Sequence, residues 1–121
     1  MRILVVDDSR LLRTMLRRSL RQSGVPVTRL AEAETGAEAL TLLGEQTFDL
    51  VLCDYCMPEM DGPAFLAAAK ARLPRMPKVL VVSAQAGPEI GDLVRRAGSS
   101  GFLRKPFTAK ELRHAIDMAM R

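Results

Sequence analysis

The sequence predicts an α/β fold, a doubly wound five-stranded parallel sheet with helices on both faces. Short apolar runs alternate five times with amphipathic stretches along the chain. Three of those runs, Ile3 to Val6, Leu50 to Cys53 and Val79 to Val82, are continuously apolar. Strands apolar at every position are covered on both faces, which is what crossover helices do to a parallel sheet. No internal repeat or low-complexity linker breaks the alternation, so residues 1–121 read as one domain.

Taken in order, Ile3 to Val6 is the first strand and a central one. Ser9 caps a first helix that runs to about Gln22, where Gly24 and Pro26 end it. Val27 to Ala31 mixes in Thr28 and Arg29 and suits an edge strand. Thr35-Gly36-Ala37-Glu38 is a capping box for the second helix. Leu50 to Cys53 follows as the third strand. Pro63, after Asp61-Gly62, occupies the first position of a third helix, where its missing N–H costs nothing. Val79 to Val82 is the fourth strand, and Gly87-Pro88 opens a fourth helix that Gly98 stops. Gly101-Phe102-Leu103 is a short second edge strand. Thr108-Ala109-Lys110-Glu111 is another capping box, opening a last helix with Leu112, Ala115, Ile116 and Ala119 on its inner face. Met57 and Met60 are expected to fill gaps in the core.

Composition narrows the class. Apolar residues make up 48% of the chain and charged residues 26%, as in soluble globular domains. No apolar run approaches the roughly 20 residues a membrane span needs. Acid at Asp7 and Asp8 interrupts the start before a signal-peptide core could form, so a cytoplasmic protein with no membrane span is expected. The formal charge is +4, yet Trp is absent and there are one Tyr and four Phe, too few for a base-stacking platform. Direct nucleic-acid binding by this domain is not expected. Arg10, Arg13, Arg17, Arg18 and Arg21 share one helical stripe, read as a solvated outer face in preference to a dock for an acidic partner. Cys53 and Cys56 are spaced C-x-x-C. They lack both the helix N-terminus of a redox pair and the further ligands of a zinc site, so Cys53 reads as a small buried hydrophobe.

In an open parallel sheet, ligands bind beyond the carboxyl ends of the strands. Asp7 and Asp8 follow the first strand, Asp54 ends the third, Ser83 ends the fourth and Lys105 lies just past the fifth. An Asp after a strand is often only a turn former or cap, but carboxylates, a hydroxyl and an amine arriving together at one edge are difficult to ascribe to capping. Close carboxylates repel unless a cation sits among them, and an all-oxygen set suits Mg2+. A free oxygen of Asp54 is then placed as a nucleophile toward a phosphoryl group, giving an acyl phosphate. Lys105 and the metal would neutralise the transferred group, and the Ser83 hydroxyl would donate to it. Pro106 leaves the Lys105–Pro106 bond open to either isomer, cis or trans ahead of the Thr108 cap.

Val5-Val6-Asp7-Asp8-Ser9, Asp54-Tyr55-Cys56-Met57-Pro58-Glu59-Met60-Asp61-Gly62, Val82-Ser83-Ala84 and Gly101-Phe102-Leu103-Arg104-Lys105-Pro106-Phe107 resemble the receiver domains of bacterial two-component response regulators, over essentially the whole chain. The likeness is to the stand-alone CheY-like type, which implies a flavodoxin-like strand order 2-1-3-4-5. It implies that Asp54 is the phosphoacceptor, charged by a sensor histidine kinase or a histidine phosphotransfer protein. Asp8 and Asp54 would ligate Mg2+ with the backbone carbonyl of Cys56, and Asp7 would reach it mostly through water. Lys105 and Ser83 would hold the phosphoryl oxygens, and Phe102 would be a switch aromatic that turns inward as Ser83 moves. The surface of the fourth helix, fifth strand and fifth helix would engage the downstream target. Cys56 and Gln85 stand where the family varies and tunes hydrolysis of the acyl phosphate. On this reading the chain catalyses only its own phosphotransfer and is not a turnover enzyme.

The leading expectation is a stand-alone receiver for motility, as in chemotaxis, or for a phosphorelay. The alternative is the excised N-terminal receiver of a DNA-binding transcription factor or other effector; the chain stops with its last helix at Arg121, which suits both. A phosphatase of the haloacid-dehalogenase type would need a second acid two residues after its nucleophile, where Cys56 stands, and room for a cap domain. Nucleotide and flavin sites are disfavoured because no turn carries G-x-G-x-x-G or G-x-x-x-x-G-K-[ST].

Overall fold

Period-two burial along each strand sorts the apolar side chains into two cores, one on either face of a sheet. The computed structural model describes residues 1–85 and 87–121. Its strands are β1 (Arg2–Val6), β2 (Arg29–Ala33), β3 (Leu50–Asp54), β4 (Lys78–Ser83) and β5 (Gly101–Arg104). The helices are α1 (Arg10–Ser23), α2 (Gly36–Glu45), α3 (Gly62–Arg72), α4 (Pro88–Arg96) and α5 (Ala109–Ala119). Every strand pairs in parallel, in the order β2-β1-β3-β4-β5. Leu4, Val6, Val51, Cys53, Val79 and Val81 face the core closed by α2, α3 and α4. Their neighbours Ile3, Val5, Leu50, Leu52 and Leu80 face the core closed by α1 and α5. The central strands are therefore apolar throughout because neither face is left to water.

Local signals set the helix ends. The Ser9 hydroxyl accepts the Leu12 N–H, and Gly24, at φ 78°, ends α1 in the left-handed region that glycine enters without strain. The Asp61 carboxylate accepts the Ala64 N–H, with Pro63 in the first turn of α3. Thr108 and Glu111 form the reciprocal box at α5. At α2 only half of the expected box forms. Thr35 accepts the Glu38 N–H, but the Glu38 carboxylate takes the Glu34 N–H rather than that of Thr35.

Two sequence expectations are corrected. The second strand lies at Arg29–Ala33 rather than Val27 to Ala31, because Val27 spends its N–H on the Val25 carbonyl in the turn before it and the ladder with β1 begins at Arg29 opposite Arg2. The arginine stripe of α1 is not a uniformly solvated face. Arg13 is buried and bonded to Glu32 and Glu34, so acids at the end of β2 draw it inward, while Arg17 pairs with Glu32 from a part-exposed position.

At the opposite edge of the sheet, Asp49 ties the strand starts together. Its carboxylate accepts the Arg2 main-chain N–H at 2.7 Å and pairs with the Arg2 guanidinium at 3.2 Å. Hydrogen bonds from the Arg2 side chain and main chain hold the Asp49 carboxyl below its ordinary value near 3.8. A lowered folded value gives stability that is present above the unfolded value and is lost as pH falls through the folded one. Asp49→Asn should therefore lose roughly 0.5 kcal/mol at pH 7, as befits a part-exposed pair. Urea denaturation should show that gap closing as pH falls below about 3.8; a gap unchanged with pH would refute the assignment.

Candidate functional site

Parallel strands all present their carboxyl ends at the same edge, and three of those ends carry acid or hydroxyl groups here. β1 runs out at Val6, so Asp7 and Asp8 begin the loop to α1, while Asp54 and Ser83 are the last residues of β3 and β4. Asp7 is 1% exposed and Asp54 8%. One carboxylate oxygen from each of Asp7, Asp8 and Asp54 lies within 4.8 Å of the others. Lys105, in the loop after β5, points its amine into this group. Its Nζ stands 3.1 Å from Asp54 Oδ1 and 3.6 Å from Asp7 Oδ2. The Lys105–Pro106 bond, which the sequence left open, is cis.

Each group is held by its surroundings. The Asp7 main-chain N–H donates to the Ala33 carbonyl, and Asp7 Oδ1 accepts the Ser9 N–H at 2.9 Å. Tyr55 N–H reaches the Val82 carbonyl at 2.8 Å, and Gly62 N–H reaches the Tyr55 carbonyl at 2.8 Å, so the loop after Asp54 folds back on the strand ends. A Cβ on Gly62 would sit 3.2 Å from Tyr55 Cα, a close backbone approach that favours glycine. The buried Ser83 hydroxyl accepts the Gln85 N–H at 3.0 Å, and the Ser83 carbonyl accepts the Lys105 N–H at 2.7 Å. Cys56 has an exposed side chain in the loop after Asp54. Phe102 lies outside the cluster, half-buried on β5 against the α2–α4 core.

Burial pushes the Asp54 carboxyl above its ordinary value; the charge of Lys105 opposes this, while Asp7 and Asp8 add to it. Burial first, then the charges of Asp54 and Asp7, push the Cys53 thiol well up, so it stays protonated and packs as the small hydrophobe expected. The residues fit a hard divalent cation. Asp7 Oδ2 is buried without a hydrogen-bond partner, and Asp7 shares the site with the carboxylates of Asp8 and Asp54, the donors such an ion prefers.

The residues expected at the site thus divide. Asp7, Asp8, Asp54 and Lys105 come together, and Ser83 is tied to Lys105 through the main chain. Sequence reasoning missed the part of Arg13, whose guanidinium donates to the Asp7 carbonyl at 2.7 Å. Its spacing from Leu16 and Leu20, three and seven residues, was the available signal, since it places Arg13 on the inward stripe of α1.

A doubly wound parallel α/β protein with an acid cluster and one lysine at the carboxyl edge defines a class: a domain whose strand ends offer the oxygen donors a divalent cation prefers. Residues 3–117 match the response regulator receiver domain family, and the chain belongs to that family. It is 39% identical over 119 residues to the chemotaxis protein CheY of Pseudomonas aeruginosa, covering 97% of this chain and 94% of that protein. It is 40% identical over 118 residues to the transcriptional regulatory protein ZraR of Escherichia coli, covering 98% of this chain and 26% of ZraR. The signal receiver domain of the response regulator NarL from Mycobacterium tuberculosis matches with a TM-score of 0.84 at 39% identity, over 98% of this chain and 94% of that one. CheY4 of Vibrio cholerae matches with a TM-score of 0.84 at 28% identity, over 98% and 97%. Receiver domains belong to two-component signalling, where phosphorylation and Mg2+ are typical and the partners are in general kinases and effectors. No helix among the described residues is long and apolar enough to cross a membrane.

The raised Asp54 value has a thermodynamic consequence. A carboxyl whose folded value exceeds its unfolded one contributes stability at low pH that is lost as pH rises through the folded value. With a chelator present at pH 7, Asp54→Asn should therefore be more stable than the wild type. Thermal melts in EDTA should show the gain shrinking toward pH 4, and Mg2+ should raise the wild-type midpoint more than that of the variant. A variant less stable than the wild type at pH 7 would show that the Lys105 pair outweighs burial.

Proposed function

We propose that this chain, residues 1–121, is a single cytoplasmic receiver domain that works as a phosphorylation-driven switch with Asp54 as the phosphoacceptor. The observation that carries this is a carboxylate 8% exposed, ending a central strand, with the Lys105 amine at 3.1 Å and two further acids within cation-sharing distance. An Asp54 oxygen attacks phosphorus, the P–N bond to the donor histidine breaks, and the new P–O bond leaves an acyl phosphate. Asp8 and Asp54, with the Cys56 carbonyl, would hold Mg2+, and Asp7 would orient its water. When bound, the ion supplies positive charge toward the phosphoryl oxygens. Lys105 supplies the other positive charge, and the Ser83 hydroxyl donates to a phosphoryl oxygen.

The donor would be a sensor histidine kinase or a histidine phosphotransfer protein, or in its place a small acyl phosphate. The chain catalyses this one transfer to itself and does not turn over substrate. Phe102 would act as the switch residue, and the α4–β5–α5 surface would meet the downstream target. The 39% identity to a CheY supports a diffusible signalling protein. A second reading, the receiver of a larger effector, is favoured by the equal identity to a quarter of ZraR. The native reading frame after Arg121 distinguishes them.

Incubation with Mg2+ and a small acyl phosphate, followed by intact mass measurement, tests the phosphoacceptor. The wild type should gain one phosphoryl group and Asp54→Asn none; equal labelling of the variant would reject Asp54 as the nucleophile. Asp8→Ala should strongly weaken Mg2+ binding in calorimetry, and an unaltered affinity would remove Asp8 from the ligand set.

A further inference from the structure

Arg13 is 6% exposed, an unusual state for a guanidinium, and each face of it is occupied. Nη1 donates to the Asp7 carbonyl at 2.7 Å, Nε to Glu32 Oε1 at 3.0 Å and Nη2 to Glu34 Oε1 at 3.4 Å. The second Glu32 oxygen accepts Arg17 Nη1 at 2.7 Å, so Glu32 is held from both sides. An apolar side chain in line with Leu16 and Leu20 would fill this place without the cost of desolvating a charge. Such a residue would lose the pairs to Glu32 and Glu34, and with them the contact that reaches the site, the one to the Asp7 carbonyl.

That carbonyl belongs to the peptide unit that also carries the Asp8 N–H. Fixing its plane therefore fixes the start of Asp8 as well as the end of Asp7. The Asp7 N–H is already held by Ala33, and Asp7 Oδ1 by the Ser9 N–H, which leaves Oδ2 without a hydrogen bond, 3.6 Å from the Lys105 amine. We propose that Arg13, braced by Glu32, is a positioning residue: it locks the Asp7–Asp8 peptide plane so that both carboxylates stay aimed at Asp54, and it thereby sets the divalent-cation affinity of the site. This rests on the metal reading given under the proposed function. Outer partners that orient metal-binding groups typically change affinity 10–100-fold when removed.

Calorimetric Mg2+ titrations of the wild type, Arg13→Met, Arg13→Lys, Glu32→Gln and the exposed Arg18→Met test the proposal. The dissociation constant of Arg13→Met should rise about 10–100-fold. Arg13→Lys, which keeps the charge but lacks the fork, should fall between it and the wild type. Glu32→Gln should show a smaller rise in the same direction, and Arg18→Met no change. In amide spectra without metal, Arg13→Met should shift the Asp8 N–H, which shares its peptide with the lost acceptor; a purely structural role would lower the melting midpoint and leave the Mg2+ affinity alone. A folded Arg13→Met that binds Mg2+ like the wild type overturns the proposal. Should that variant not fold, wild-type affinity in Glu32→Gln overturns it instead. A wild type that binds no Mg2+ removes the metal reading itself, whereas wild-type binding with unaffected variants removes only the role of Arg13.

Discussion

Placing an ionised carboxylate where water scarcely reaches, next to two more of the same sign, is unfavourable on both counts. The carboxyl edge of this sheet does so with Asp7 and Asp54 buried and Asp8 at hand. A single amine, that of Lys105, touches the cluster among the described residues. One positive charge stands against three acids there, and Asp54, raised first by burial and further by Asp7 and Asp8 against the opposing charge of Lys105, holds its proton more tightly than an ordinary carboxyl. The imbalance of charge makes the site receptive to a hard divalent ion, since the stability forgone without the ion reappears as binding free energy.

The fold can hold such a site because everything below the edge is apolar and fixed. Side chains from Ile3 to Val6, Leu50 to Cys53 and Val79 to Val82 are at most 1% exposed, so the strand ends have little freedom to retreat from one another. The register of β3 against β4 sets Asp54 beside Val82, one residue before Ser83. Loops then finish the arrangement. Gly62 lets the chain after Asp54 turn tightly under the site, and Glu59, at φ 68°, takes a left-handed conformation that non-glycine residues adopt only with strain.

Much of this was legible in the sequence because the central strands are coded by composition alone. An apolar run bounded by Asp or Ser needs no tertiary knowledge to be placed, and the carboxyl-edge rule then gathers Asp7, Asp8, Asp54, Ser83 and Lys105. β2 was legible only in part. Its last residues include Glu32, and a charged residue in an edge strand looks like loop until the arginine that neutralises it is seen. Arg13 hid for the complementary reason: in isolation an arginine on a helix reads as solvent-facing, and only its acceptors reveal otherwise. The isomer of the Lys105–Pro106 bond was hidden because local sequence separates the two forms by only about 0.5–1 kcal/mol.

How phosphorylation would be felt away from Asp54 follows from the backbone rather than from the acids. Ser83 and Lys105, assigned to the phosphoryl oxygens, are joined directly: the Lys105 N–H donates to the Ser83 carbonyl at 2.7 Å, and Ser83 pairs with Arg104 across the sheet. A pull on either residue is thus a pull on the end of β5. Two residues before Arg104, Phe102 borders two grooves, one of about 550 Å³ toward α5 and one of about 400 Å³ toward α4. If Phe102 serves as the proposed switch, the space beside it is where its ring would repack. Phosphorylation can then bias two packings of that ring only by the difference in its contacts to Ser83 and Lys105 between them. A modest difference suffices if the two packings are close in free energy, and Phe102 is less buried than the apolar residues of β1, β3 and β4.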